Sequence, residues 1–157
     1  MTDLPDFAVN AINLASARLG ASAIFATDDF FADKSRMLQD ATATFVPDKY
    51  DANGKWMDGW ESKRRRQGGH DFCIVKLGAR GIIQGVDIDT SHFTGNYPPA
   101  ASIEACVSAT APDDETVWTE ILPAVSLGAS AHHFHPINSS ESWTHVRLHI
   151  YPDGGVA

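Results

Sequence analysis

Short runs of alternating apolar and polar residues, each closed by Gly, Pro, Asn, Asp or Ser, recur at residues 72–77, 82–88, 102–108, 117–122, 131–137 and 144–151. Their length and their wealth of β-branched and aromatic side chains predict strands rather than helices. In 102–108, Ile103, Ala105 and Val107 share one face, and in 144–151, Val146, Leu148 and Ile150 do so. That period of two is the mark of half-buried antiparallel sheets, and two of them packed face to face make a β-sandwich. Helical text is scarce. A short helix is expected near residues 28–39, where Asp28 or Asp29 would cap it. The fold class is therefore all-β.

A chain of 157 residues with 43% hydrophobic content buries one core and is too short for two ordinary domains. The formal charge of -8 opposes a nucleic-acid or anionic-membrane partner, because both are held mainly by Lys and Arg neutralising phosphate. A small anion is still admissible, since a local cationic pocket can sit on an acidic surface. Cys73 and Cys106 lie in apolar text and suggest no disulfide framework, which fits a reduced compartment. The first twenty residues have no basic segment ahead of an apolar core, and no apolar run approaches the roughly 18 residues of a membrane span. The expected location is the cytoplasm.

Two polar runs, KWMDGWESKRRR and GVDIDTSHFTGNYPP, mix carboxylates, fixed cations and aromatics within a few positions. A structural strand or turn needs only alternation and a Gly or Pro to reverse. In the second run Val86 and Ile88 point to one face of a strand and Asp87 and Asp89 to the other, about 7 Å apart. The chain then breaks into a polar loop at Thr90, Ser91 and His92, and loops at strand ends are favoured positions for sites.

These runs, with GHDFCIVKLG, THVRLHIYPDGGVA, NLAS and ATDDFFA, resemble the allantoicase (allantoate amidinohydrolase) family over residues 13–157. The resemblance narrows the sandwich to a jelly-roll, galactose-binding-domain-like (discoidin-type) fold. It implies hydrolysis of allantoate to ureidoglycolate and urea, within purine (allantoin) degradation. Family members usually carry two copies of the domain. NLAS, DGWES and YPDGG each occur once here, so residues 1–157 are expected to be one repeat, the N-terminal one. In the family YPDGGVA runs on into a closing strand. The domain is thus expected to lack its last strand, to expose an edge beside 144–151, and to pair there with another copy or with a second repeat.

Allantoate carries one carboxylate and two ureido groups on one carbon. Its hydrolysis asks for a fixed cation, acceptors for ureido N–H groups, and an acid or base to manage water and departing urea. The cations are Arg64 and Arg65, favoured over Arg66, with Arg147 as a separate one on an outward strand face; a solvated charge run and a cross-strand ion pair are their structural alternatives. Glu61 and Asp58 flank Trp60, and Asp58 could equally form a turn with Gly59. Asp89 stands next to the loop carrying His92, the leading acid/base candidate, since imidazole titrates near neutrality. Catalytic candidates are accordingly His92, Glu61, Asp89 and Asp58. Substrate contacts are expected from Arg64, Arg65, Asn96, Asp28, Asp29, Trp60 and Arg147.

The sequence indicates no metal or other cofactor, and a divalent cation held by several carboxylates stays open as the alternative. His132, His133 and His135 alternate across a strand, and no Cys or carboxylate near them in sequence completes a coordination set. Two rival readings stand beside the enzyme. One is a non-catalytic galactose-binding-like module stacking ligands on Trp56, Trp60, Trp118 and Trp143; the other is a silent half that positions a second repeat.

Overall fold

The computed structural model describes residues 4–157. A helical turn, α1 (Asp6–Asn10), precedes strands β1 (Ser22–Ala26), β2 (Tyr50–Asp51), β3 (Gly54–Lys55), β4 (Trp60–Glu61), β5 (Asp71–Ile82), β6 (Gly85–Asp89), β7 (Ala100–Cys106), β8 (Thr119–Ser126), β9 (His132–Pro136), β10 (Ser142–Tyr151) and β11 (Gly155–Val156). The main layer is an antiparallel sheet in the order β1-β5-β10-β7-β8. Opposite it lie the pairs β6-β9 and β4-β11. The core fills the space between: Cys73, Val75, Leu77, Ile103, Leu148 and Ile150 from the large sheet meet Trp60, Ile88, Ile137 and Val156. No helix among the described residues is long and apolar enough to cross a membrane.

The alternation read in the sequence holds for β10, where Leu148 and Ile150 are buried in the core and Val146 packs against it. Its position differs from expectation. Rather than bordering an open edge, β10 is hydrogen-bonded to β5 on one side and β7 on the other, because it is apolar on its inner face and long enough to register with both. Val107 is 48% exposed and lies beyond the end of β7, so it does not continue the Ile103–Ala105 stripe. The helix expected near 28–39 is a single 3-10 turn, Lys34–Leu38, and its cap is Asp33, whose carboxylate accepts from Ser35 N at 2.8 Å. Asp28 caps nothing; it accepts from Phe30 N and Lys63 N, both at 3.0 Å.

The chain's last residues are part of the fold. Gly155 and Val156 pair with Glu61 and Trp60, Gly155 N donates to the Asn96 carbonyl, and Ala157 N donates to the Asp89 carbonyl at 2.7 Å. Gly155 passes so close to Phe93 that a Cβ there would overlap the ring. Phe93 is fully buried and cannot swing aside. Gly155→Ala is therefore expected to cost about 2 kcal/mol through overpacking, read as a lower midpoint in urea unfolding with unchanged slope; an unchanged midpoint would show that this contact yields freely.

Candidate active site

The segments that look chemical in the sequence converge on one corner of the sandwich and hold each other there. Trp60 is fully buried and its Nε1 donates to the Asp28 carbonyl at 2.7 Å. Ser62 N donates to the Gly154 carbonyl and Gly154 N to the Ser62 hydroxyl, which ties the Trp60 segment to the chain end. Arg65 N donates to Asp153, its Nε to the Gly68 carbonyl, and its Nη1 to Asp71 at 2.9 Å. Asp71 is fully buried and also accepts from the Thr27 hydroxyl at 2.7 Å.

Glu61 is the carboxylate of this corner whose chemistry the fold changes most. It is 8% exposed and accepts from Asn96 Nδ2 at 2.8 Å. Burial raises its pKa above the ordinary Glu value, and the Asn96 hydrogen bond offsets only part of that rise. A carboxyl of this kind keeps its proton to higher pH than an exposed one and suits donation to a departing nitrogen.

Several of the expected contact residues have partners within the fold. Trp60 offers no face to a ligand, since none of it is exposed. Arg65 directs Nε at the Gly68 carbonyl and Nη1 at Asp71, and its side chain is 35% exposed. Arg147 pairs with Glu104, its register partner on β7, through Nε and Nη2, and lies over the rings of Phe72 and Trp118. Asp29 serves Lys34, accepting from its backbone N and lying 3.5 Å from its Nζ. Asp58 forms no turn with Gly59; it accepts from Thr44 N at 2.8 Å and pairs with Arg36 at 3.2 Å. His92 adopts φ 71°, stacks on Phe45, and places Nε2 3.1 Å from the Ala43 carbonyl, partners it shares with neither Glu61 nor Asn96. Arg64 and Arg66 are exposed, and neither has a hydrogen-bond or ion-pair partner among the described residues.

The β6-β9 register supplies what sequence neighbourhood could not. It sets Asp89 opposite His132 and Asp87 opposite Phe134 on one face, so His132 Nδ1 meets Asp87 at 2.7 Å and Asp89 at 3.8 Å. The hydrogen bond to Asp87 raises the His132 pKa above the usual imidazole range. His133 points the other way, between Gly128 N and the Ile88 carbonyl. Asp89 itself accepts from the backbone and hydroxyl of Ser91.

A cavity of about 1020 Å³ opens between the layers along β6. Its walls are inward-facing side chains of the large sheet, including Val75, Leu77, Ile103, Val146 and Leu148. In its polar lining Asp58 pairs with Arg36 and Asp89 lies 3.8 Å from His132, while Arg36 Nε is buried without a hydrogen-bond partner among the described residues.

The comparisons agree with this geometry. The allantoicase repeat family matches residues 12–157. A probable allantoicase of Rhizobium meliloti is 58% identical over 154 residues, which span 98% of this chain and 45% of that protein. A solved allantoicase superimposes with a TM-score of 0.82 at 30% identity, over 93% of this chain and 46% of the other. A carbohydrate-binding module from a Clostridium perfringens glycoside hydrolase matches with a TM-score of 0.57 at 14% identity, covering 93% of this chain and 94% of the module, a likeness of fold alone. The architecture is thus an all-β jelly-roll sandwich of the galactose-binding-like kind, and the chain spans about half the length of the curated relatives it matches. With the family model matching residues 12–157 and a relative 58% identical over nearly the whole of it, this chain belongs to the allantoicase family.

Proposed function

We propose that this domain takes part in the hydrolysis of allantoate to ureidoglycolate and urea, with Glu61 as the proton donor to departing urea. The observation that carries this reading is the buried Glu61 carboxyl, raised in pKa and oriented by Asn96, at the corner where the Trp60–Arg66 segment meets Asn96 and Gly155. Arg64, exposed and adjacent to the anchored Arg65, is the cation for the substrate carboxylate, in place of Arg65 itself. The stacking module is disfavoured by its own aromatics. Trp60 and Trp143 are buried, while Trp56 and Trp118 have cations over their rings.

The test is a thermal-shift series followed by a urea assay. Allantoate at about a hundred times its Kd adds roughly 2.7 kcal/mol, a rise in Tm of roughly 5–10 °C for a domain of this size. Stabilisation by galactose or chitosan fragments and none by allantoate would remove the enzyme reading.

The proposal extends to domain organisation. A further strand, supplied by chain that follows Ala157, is placed along the open side of β6 and fills the cavity that runs along it. Ala157 N is already bonded to the Asp89 carbonyl at the end of β6, and the relatives are more than twice as long. Pairing with a second repeat or a second copy would follow from the same unfinished layer. Extending the chain by its natural continuation is expected to raise Tm and reduce self-association. Equal melting and a monomer in both forms would place that strand elsewhere.

A further inference from the structure

The loop that follows β6 holds one residue in a backbone conformation that L side chains rarely adopt. His92 sits at φ 71°, in the left-handed region that is uncommon outside Gly. Its backbone N donates to the Ser130 hydroxyl at 3.0 Å, which fixes the turn, and its side chain is exposed. The imidazole stacks on Phe45 with ring centroids 5.9 Å apart, and Nε2 lies 3.1 Å from the Ala43 carbonyl. A carbonyl oxygen can only accept, so the neutral imidazole carries its proton on Nε2 and keeps the lone pair on Nδ1. Nδ1 has no hydrogen-bond partner among the described residues.

This loop and Glu61 lie in the same layer and meet through β11. Glu61 pairs with Gly155. Gly155 N donates to the Asn96 carbonyl at 2.8 Å, and the ring of Phe93, the residue after His92, covers Gly155. Asn96 Nδ2, from the same loop, donates to the Glu61 carboxylate itself at 2.8 Å. A second line of contacts joins the two groups from the other side. Phe31 N donates to the Glu61 carbonyl, and Gly54 of the β2-β3 hairpin stands against the Phe31 ring. Lys55, next along that hairpin, places Nζ 4.7 Å from the centre of the Phe45 ring on which His92 stacks. Glu61 and His92 are thus two members of one closed ring of contacts.

We infer that His92 is the water-activating base of the site, with Nδ1 as the atom that takes the proton. This rests on the proposed allantoate hydrolysis and names the second proton-transfer group which that reaction requires. Backbone geometry alone gives no reason for an imidazole here, since Gly would hold φ 71° without a Cβ to strain. Residues kept in such conformations by their surroundings gather at functional sites. The two groups divide the work by burial: Glu61 is covered and retains a proton to give, while His92 is exposed and offers a lone pair. In the step, His92 Nδ1 takes a proton from water as the oxygen bonds to the central carbon. The C–N bond breaks with its electron pair on the ureido nitrogen, and Glu61 protonates that nitrogen. The proton on His92 then returns to Glu61 through solvent. The sum is allantoate plus water giving ureidoglycolate plus urea.

Side-chain nitrogen NMR of the chain tests the assignment without turnover: His92 should be the Nε2–H tautomer. For the urea assay the informative variants are His92→Gly and His92→Asn, because both side chains suit a left-handed backbone. Each should melt no lower than the parent and lower kcat at least about a hundredfold, with KM within about threefold. Added imidazole should restore part of kcat to His92→Gly and none to Glu61→Gln. With the parent releasing urea, an Nδ1–H tautomer or near-normal kcat in both variants overturns the inference and spares the proposed function. Loss of cooperative melting in both variants, or a kcat that imidazole does not restore in His92→Gly, assigns His92 to holding the loop and overturns the inference as well. If the unsubstituted chain, with and without its natural continuation, releases no urea, the proposed function falls and the base role falls with it.

Discussion

Glu61→Gln is expected to lower urea release from allantoate at least about a hundredfold, the usual size of a lost proton donor, while leaving the domain no less stable at neutral pH. The amide keeps the shape of the side chain and still accepts from Asn96 Nδ2. Its effect on stability follows from the direction of the shift. Burial raises the folded-state pKa of Glu61, so the folded state favours the protonated carboxyl. That contribution is fully present below the ordinary Glu pKa and is lost as pH rises through the folded value. The amide, which cannot ionise, escapes the loss. The two proteins should diverge in unfolding midpoint as pH is raised through the acidic range, the variant gaining. Turnover within a few fold of the parent would strike Glu61 from the chemistry, and a collapse in stability would assign it to the scaffold instead.

Arg65→Ala is expected to destabilise the domain by about 3 kcal/mol, toward the lower end for breaking a buried pair because the Arg65 side chain is 35% exposed. The cost arises on the other partner. Asp71 is fully buried, one of its oxygens has no hydrogen-bond partner among the described residues, and removal of the guanidinium leaves Oδ1 with the Thr27 hydroxyl alone. Adding Asp71→Asn should recover part of the loss, because a neutral amide needs no counter-ion. Equilibrium unfolding of the single and double variants measures both. A single variant that unfolds like the parent but no longer binds allantoate would return Arg65 to the substrate, where its place in the KRRR run first suggests it belongs.

Much of the fold was legible because strand text is local. Alternating side chains in 102–108 and 144–151 report which face meets the core wherever they pair: Ile103, Ala105, Leu148 and Ile150 are in the core, although Ser102, Cys106, His145 and His149 on the other face are buried too. The elements missed in the sequence are the ones whose signal is not local. β1 carries an irregular register between Ala23 and Phe25 that breaks its period, and β4 and β11 are two residues each, existing as strands only because the chain end folds back on Trp60 and Glu61. The expected edge beside β10 failed for the same reason: strand order is a matter of pairing partners, which alternation does not encode.

The candidate site divides along the same line. Residue types alone singled out the Trp60–Arg66 and Asp87–Asn96 segments, and the fold joins Glu61 of the first to Asn96 of the second through a hydrogen bond. Which polar groups are free and which are spent was decided by tertiary contacts separated by tens of residues. Asp71 claims Arg65, Asp28 claims the Trp60 indole, Glu104 claims Arg147, and the Ala43 carbonyl engages His92. The contacts that join Glu104, His149 and His70 have no sequence motif either, though the stripe of His145, Arg147, His149 and Tyr151 on one face of β10 could be read from alternation. The sequence by itself determined the all-β sandwich and the identities of the chemical groups, because hydrophobic period and side-chain chemistry are properties of each residue. Only the tertiary structure decided their protonation and availability, because those depend on burial and on partners that the chain brings together from far apart.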